Sequence, residues 1–126
     1  MELLERAQAM HGEAQALEER INFLQQQIVE LVDFEKGLHA LENNEHKEIF
    51  ASLGKGVFVP AKIESKEMLV EVGSGVIVKK NAGQVLEVIK EQIDRLENLR
   101  SDAQENLSSL QEEFAVLFEQ IKGIKQ

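Results

Sequence analysis

The chain has no cysteine, no tryptophan and no tyrosine, and its single proline is Pro60. Without cysteine there can be no disulfide and no thiolate metal site, and the composition fits a reducing compartment. Aromatic residues make up only 5% of the 126 residues. A compact globule of this size normally fills its core with bulky rings; long helices zipped along an aliphatic seam do not need them. No apolar run approaches the roughly 18 residues of a membrane span. The first twenty residues hold Glu2, Glu5, Glu13, Glu18 and Glu19, a pattern opposed to a secretory signal. Basic charge is scarce as well, with 14 Lys and Arg against 23 acids and a net charge of −9. That balance argues against nucleic acid, which requires a basic footprint, and against an anionic membrane surface. The expectation is a single-domain, soluble, cytoplasmic protein.

The acid is unevenly spread. Residues 1–43 carry nine acids against three bases and residues 82–126 nine against five, whereas residues 44–81 carry five against six. These charge blocks coincide with three structural segments. In 1–43, Leu3, Met10, Leu17, Leu24, Leu31 and Leu38 fall seven apart. Ala7, Ala14, Ile21 and Ile28 stand four after each of the first four, so the first series occupies d and the second a of a heptad seam. Glu35 is a polar a position, and Gly12 and Gly37 face away from the seam, where they cost only local helix propensity. Asn43 and Asn44 are expected to end the run. In 82–126, Leu86, Ile93, Arg100, Leu107, Phe114 and Ile121 form one seven-residue series, and Ala82, Ile89, Leu96, Ala103, Leu110, Leu117 and Ile124 the other. Asn81 with Gln84 predicts a capping box at the start of this helix.

Two seams of equal length joined by a short middle predict an antiparallel helical hairpin with both termini at one tip. If Ala82 lies opposite Glu42, small residues repeatedly face large ones: Ala7 with Leu117, Met10 with Phe114, Ala14 with Leu110, Ile21 with Ala103. Arg100 would then face Leu24 and reach toward Glu30 or another acid on the rim. At the tip the apolar surface exceeds what a two-helix seam covers. Leu4 stands beside Leu3, Phe118 beside Leu117, and Val116 on an outer position, opposite small or flexible partners. Loose packing is expected there.

The middle segment, 44–80, reads as strand: Ile49–Leu53, Val57–Ile63, Met68–Val72 and Val76–Lys79, punctuated by Gly54/Gly56, Glu64–Lys66 and Gly73/Gly75. Val57, Val59, Ala61 and Ile63 share one face of the second run, and Met68, Val70 and Val72 one face of the third. Four strands make two hairpins. Two such hairpins are not stable alone in water, so they predict an oligomerisation platform.

Other chemistry finds little support. Gly54-Lys55-Gly56 and Gly73-Ser74-Gly75 lead into strands, whereas a phosphate cradle must deliver a helix N-terminus; they read as turns. His39 and His46 are seven apart around Glu42 without a third ligand, and His11 is isolated, so no metal site is expected. The carboxylates fall on outer helix faces without the burial or partners that tune catalytic groups. No serine has a histidine at a suggestive spacing, so neither an enzyme nor a cofactor is expected.

The segments LGKGVFVPAKI (53–63) and MLVEVGSGVIVKK (68–80), set between two helices of about forty residues, resemble the α-class subunits of prefoldin. They share a Gly-x-Gly turn, a strand with an aromatic, then a Val-Gly-x-Gly-Val turn into a strand ending in lysine. Room for two hairpins favours the α class over the β class, which has one. The resemblance implies an α+β, mostly α fold: a long antiparallel two-helix coiled coil with two central β-hairpins that contribute to an oligomeric β-barrel body. It further implies a hexamer of two α-class and four β-class subunits whose coiled-coil tips hold non-native proteins without ATP and pass them to a group II chaperonin. Carried onto this sequence, the client-binding tip is Leu3, Leu4, Ala7, Met10, Phe114, Leu117, Phe118, Ile121 and Ile124. The assembly residues are Val57, Phe58, Val59, Ile63, Met68, Val70, Val72, Val76, Ile77 and Val78. Two rival readings share these features: a homo-oligomeric or filament-forming relative, and a coiled-coil adaptor for one folded partner.

Overall fold

A computed structural model describes residues 2–43 and 48–125. The expected helix break at Asn44, and His46, lie outside the described residues. The chain runs α1 (Glu2–Glu42), β1 (Glu48–Gly54), β2 (Val57–Lys62), β3 (Met68–Gly73), β4 (Val76–Lys80) and α2 (Ala82–Lys125). It divides into two compact units, Met1–Glu30 with Ile93–Gln126, and Leu31–Gln92.

In the first unit the two helices run antiparallel. Arg100 donates a hydrogen bond to Gln25 Oε1. Eight residues back along α1, Leu17 shares a groove with Leu110, ten residues forward along α2. The buried residues here are Leu24, Ile28, Ile93, Ala103, Leu110 and Leu117, all of them a or d positions. Arg100 stands beside Leu24's layer as expected, but its partner is the amide of Gln25 rather than Glu30 or another acid. Gln25 is the nearer polar end, one residue from the seam, so the guanidinium need not travel to a charge. Its Nε remains buried without a partner among the described residues. Gly12 has no atom within 4 Å of where a Cβ would stand, in keeping with its outward position.

In the second unit, Leu38, Ala82, Leu86 and Ile89 are buried, again seam positions. The reciprocal cap of α2 forms: Gln84 N–H donates to Asn81 Oδ1 at 2.8 Å and Asn81 N–H to Gln84 Oε1 at 3.0 Å. Two otherwise orphaned donors are thereby satisfied, which fixes where the helix begins. The strands form two separate two-stranded antiparallel sheets, β1–β2 and β3–β4. Both hairpins turn by the same device. Lys55 and Gly56 have φ of 52° and 80°, and Ser74 and Gly75 have 50° and 77°. Positive φ at both central residues is the type I′ pattern, whose twist matches that of the flanking strands. The glycine before each pair, Gly54 or Gly73, also has positive φ and stands at a β-bulge. Hence Gly-x-Gly in each turn.

Candidate functional site

The hairpins carry the larger of two apolar surfaces. Pairing in the first sets Ile49 against Ala61 and Ala51 against Val59 on one face, and Phe50 against Pro60 and Ser52 against Phe58 on the other. Both faces are therefore apolar. In the second hairpin Val70 opposes Val78, with Met68 on the same face, while Leu69 opposes Lys79 and Glu71 opposes Ile77. Of the residues expected to drive assembly, Val57, Phe58, Val59, Val72, Val76 and Ile77 are exposed, and Ile63, Met68, Val70 and Val78 are half-buried. Three large residues that the sequence reading passed over are more exposed than any of these: Phe50 at 75%, Leu69 at 71% and Leu53 at 69%. The signal was present in the alternation, but no β1 residue and only one face of β3 was counted among the assembly residues. Since each strand has a single partner among the described residues, each also presents an unpaired backbone edge able to accept another strand.

Ile63 and Met68 also line a cleft of about 520 Å³, with Leu41, Ala82 and the linker Ser65–Glu67. The linker is pinned locally, since Ser65 Oγ accepts from Glu67 N–H at 3.1 Å.

The smaller surface lies at the ends of the helices in the first unit. Leu117 is only 4% exposed; it serves the seam. Leu3, Ala7, Met10 and Ile121 are half-buried, and Leu4, Phe114, Phe118 and Ile124 are exposed. Val116 is exposed as well. Phe114 holds an a position yet remains open to solvent. Its ring lies nearly parallel to that of Phe118, with centroids 6.4 Å apart and an interplanar angle of 17°. Lys122 Nζ stands 5.0 Å from the Phe118 centroid, within cation–π range. The sequence reading did not single out Lys122, although its i, i+4 spacing from Phe118 is the signal that could have found it.

His39 Nδ1 lies 3.9 Å from Glu42 Oε2 in an exposed pair, and among the described residues no group of three His, Cys, Asp or Glu side chains converges. No described helix is long and apolar enough to cross a membrane.

Residues 10–126 match the sequence profile described as "Prefoldin subunit". The chain belongs to the prefoldin family. It is 34% identical to prefoldin subunit alpha of Archaeoglobus fulgidus over 105 residues, spanning 76% of this chain and 74% of that protein, and so falls in the α class. Its fold is similar to that of a chain in the cryo-EM structure of filamentous prefoldin from Methanocaldococcus jannaschii, with a TM-score of 0.76 and 21% identity. That likeness covers 91% of this chain and 97% of the other. Prefoldin membership makes the chain a chaperone-type protein and not an enzyme. The two-helix, two-hairpin architecture is the prefoldin fold.

Proposed function

We propose that this chain is the α-class subunit of an ATP-independent holdase in the cytoplasm, the whole chain acting as one prefoldin module. Its hairpins complete a β-barrel body with β-class prefoldin subunits, two α with four β. Its coiled-coil end holds non-native proteins for a group II chaperonin. The observation that carries this reading is the two-faced apolar surface of the hairpins, with Phe50, Leu53 and Leu69 largely in water. Hairpins of this kind require further strands for stability. A large side chain moved from water into such an interface contributes roughly 1.5–3 kcal/mol, so a few of them suffice to drive assembly. The exposed Leu4, Phe114 and Phe118 supply the second half of the reading. One tip offers little area and binds weakly, and several tips on one body raise the effective concentration without new contacts.

The test has two arms. Native mass should rise from a small species to a defined hexamer when a single-hairpin β-class subunit is added. The assembled protein should then suppress aggregation of several unrelated unfolding proteins without ATP, and Leu4→Ser with Phe114→Ser and Phe118→Ser should remove that activity at unchanged mass. Activity that survives the triple substitution would refute the tip assignment. Unaided growth into large oligomers, which the same free strand edges also permit, would favour the self-assembling reading. Protection of one client alone would favour the adaptor.

A further inference from the structure

The two flanks of the coiled-coil end differ in chemistry. In an antiparallel pair the reversed direction of one helix brings like letters of the heptad together, e with e on one side and g with g on the other. The structure shows both sides. Gln25, an e residue, meets Arg100 on the first. On the second a groove of about 560 Å³ is lined by the g residues Glu13, Arg20, Asn106 and Glu113 above Leu17 and Leu110. Leu4 and Phe118 are both e residues and fall on the first flank, with Phe114 beside them at a. The b and e positions that complete this flank near the end are Gln8, His11, Gln111, Ala115, Lys122 and Lys125. None is acidic. Glu2, Glu5, Glu13, Glu112, Glu113 and Glu119 all occupy c, f or g.

In a chain with a net charge of −9, this flank is a local exception. It presents two stacked rings, a leucine and, over the Phe118 ring, the ammonium of Lys122. That ammonium has no carboxylate partner among the described residues, and the Phe118 ring already localises it. A group held in place loses less freedom on binding than a mobile one.

From this arrangement we infer that the coiled-coil end takes its clients on the e flank only, and selects unfolded segments in which an acidic residue adjoins an aliphatic or aromatic run. The apolar side chains lie on Leu4, Phe114 and Phe118, and the carboxylate pairs with Lys122. The inference rests on the reading that the tips hold non-native chains, and it adds the flank and the charge preference.

The experiment uses the full-length chain in its assembled state and fluorescent unstructured peptides sharing one apolar core, flanked either by aspartates or by lysines. Anisotropy should show the acidic-flanked peptide binding about two- to fivefold more tightly, the range expected of one exposed ion pair, and the difference should shrink with added salt. Lys122→Glu should reverse the order. Phe118→Ala should weaken both peptides and narrow the difference between them, since it also frees Lys122. The double variant Glu13→Lys with Glu113→Lys, on the g flank, should leave the ratio unchanged. Equal binding of the two peptides, or a ratio indifferent to Lys122→Glu, would overturn the charge preference and leave the holdase reading standing. A ratio moved as far by the g-flank variant as by Lys122→Glu would overturn the one-sided flank. Should neither peptide bind while the triple tip variant still suppresses aggregation, the underlying tip reading itself fails.

Discussion

Arg100 stands in a seam whose adjoining layers are aliphatic, with Leu96 and Ala103 on its own helix and Leu24 across from it. It satisfies one nitrogen through Gln25 and leaves Nε buried without a partner among the described residues. A polar group in that state costs free energy that an apolar side chain of similar size does not. Arg100→Leu is therefore expected to raise stability by about 1–2 kcal/mol, read as a higher midpoint in urea or thermal unfolding. Gln25, exposed, would return to water. A lowered midpoint would mean that the guanidinium is better satisfied in the assembled protein than in the single chain. The residue was legible as a seam anomaly, since an arginine in a series of leucines and isoleucines is conspicuous. Its partner was not. Looking for a charge overlooked the amide one position from the seam, and heptad spacing says nothing about which rotamer a long side chain adopts.

At the scale of elements, most of the fold was readable because each element uses a strong periodic signal. Ten seam residues expected from the seven-residue repeat are the buried ones, and the asparagine–glutamine pair fixed the start of α2. The hairpin ends followed from the Gly-x-Gly punctuation, where the left-handed backbone admits little else. What escaped was the weight of β1 and of the outer face of β3. The assembly residues expected from the sequence came from β2, β4 and one face of β3, which left out Phe50, Leu53 and Leu69, residues suited to a sheet covered on both sides. The β3 strand offers the cleanest test of its role. Val70 is half-buried opposite Val78 and Val72 is exposed near the turn, and neither lies on a helix. Val70→Asp with Val72→Asp should block assembly, seen as a collapse of native mass. Helical circular dichroism should persist, since the heptads are untouched. Loss of helix together with mass would show that the strands stabilise the coiled coil rather than merely join subunits.

For the whole molecule, the acid that dominates the helical segments, with 18 carboxylates against 8 bases over residues 1–43 and 82–126, keeps outer faces hydrated and discourages lateral association. The near-neutral middle has no such protection. Stability should accordingly be a property of the assembly and not of the chain. The unfolding midpoint is expected to rise with protein concentration once the β-class partner is present, because a partner that binds only the folded form shifts the equilibrium by mass action. Calorimetry across a hundredfold range of concentration would check this, and a midpoint indifferent to concentration would indicate strands already satisfied within one chain. The family could be read from the sequence because two short turn-and-strand motifs between long helices leave few alternatives. The apolar surface left open at the coiled-coil end could be read only in part. The sequence shows which residues are apolar, but the seam claims Leu117 and releases Phe114, a choice made by how well small opposing side chains fill the space.

Hairpins that are greasy on both sides have a corollary for a copy that never meets its subunits. Its bare strands display the same oily, extended segments that mark a damaged protein, so under the proposed function an orphan would itself be cargo for the assembly it belongs to. Under that proposal production of the subunits would have to be matched, and any surplus of this one should be short-lived or clumped.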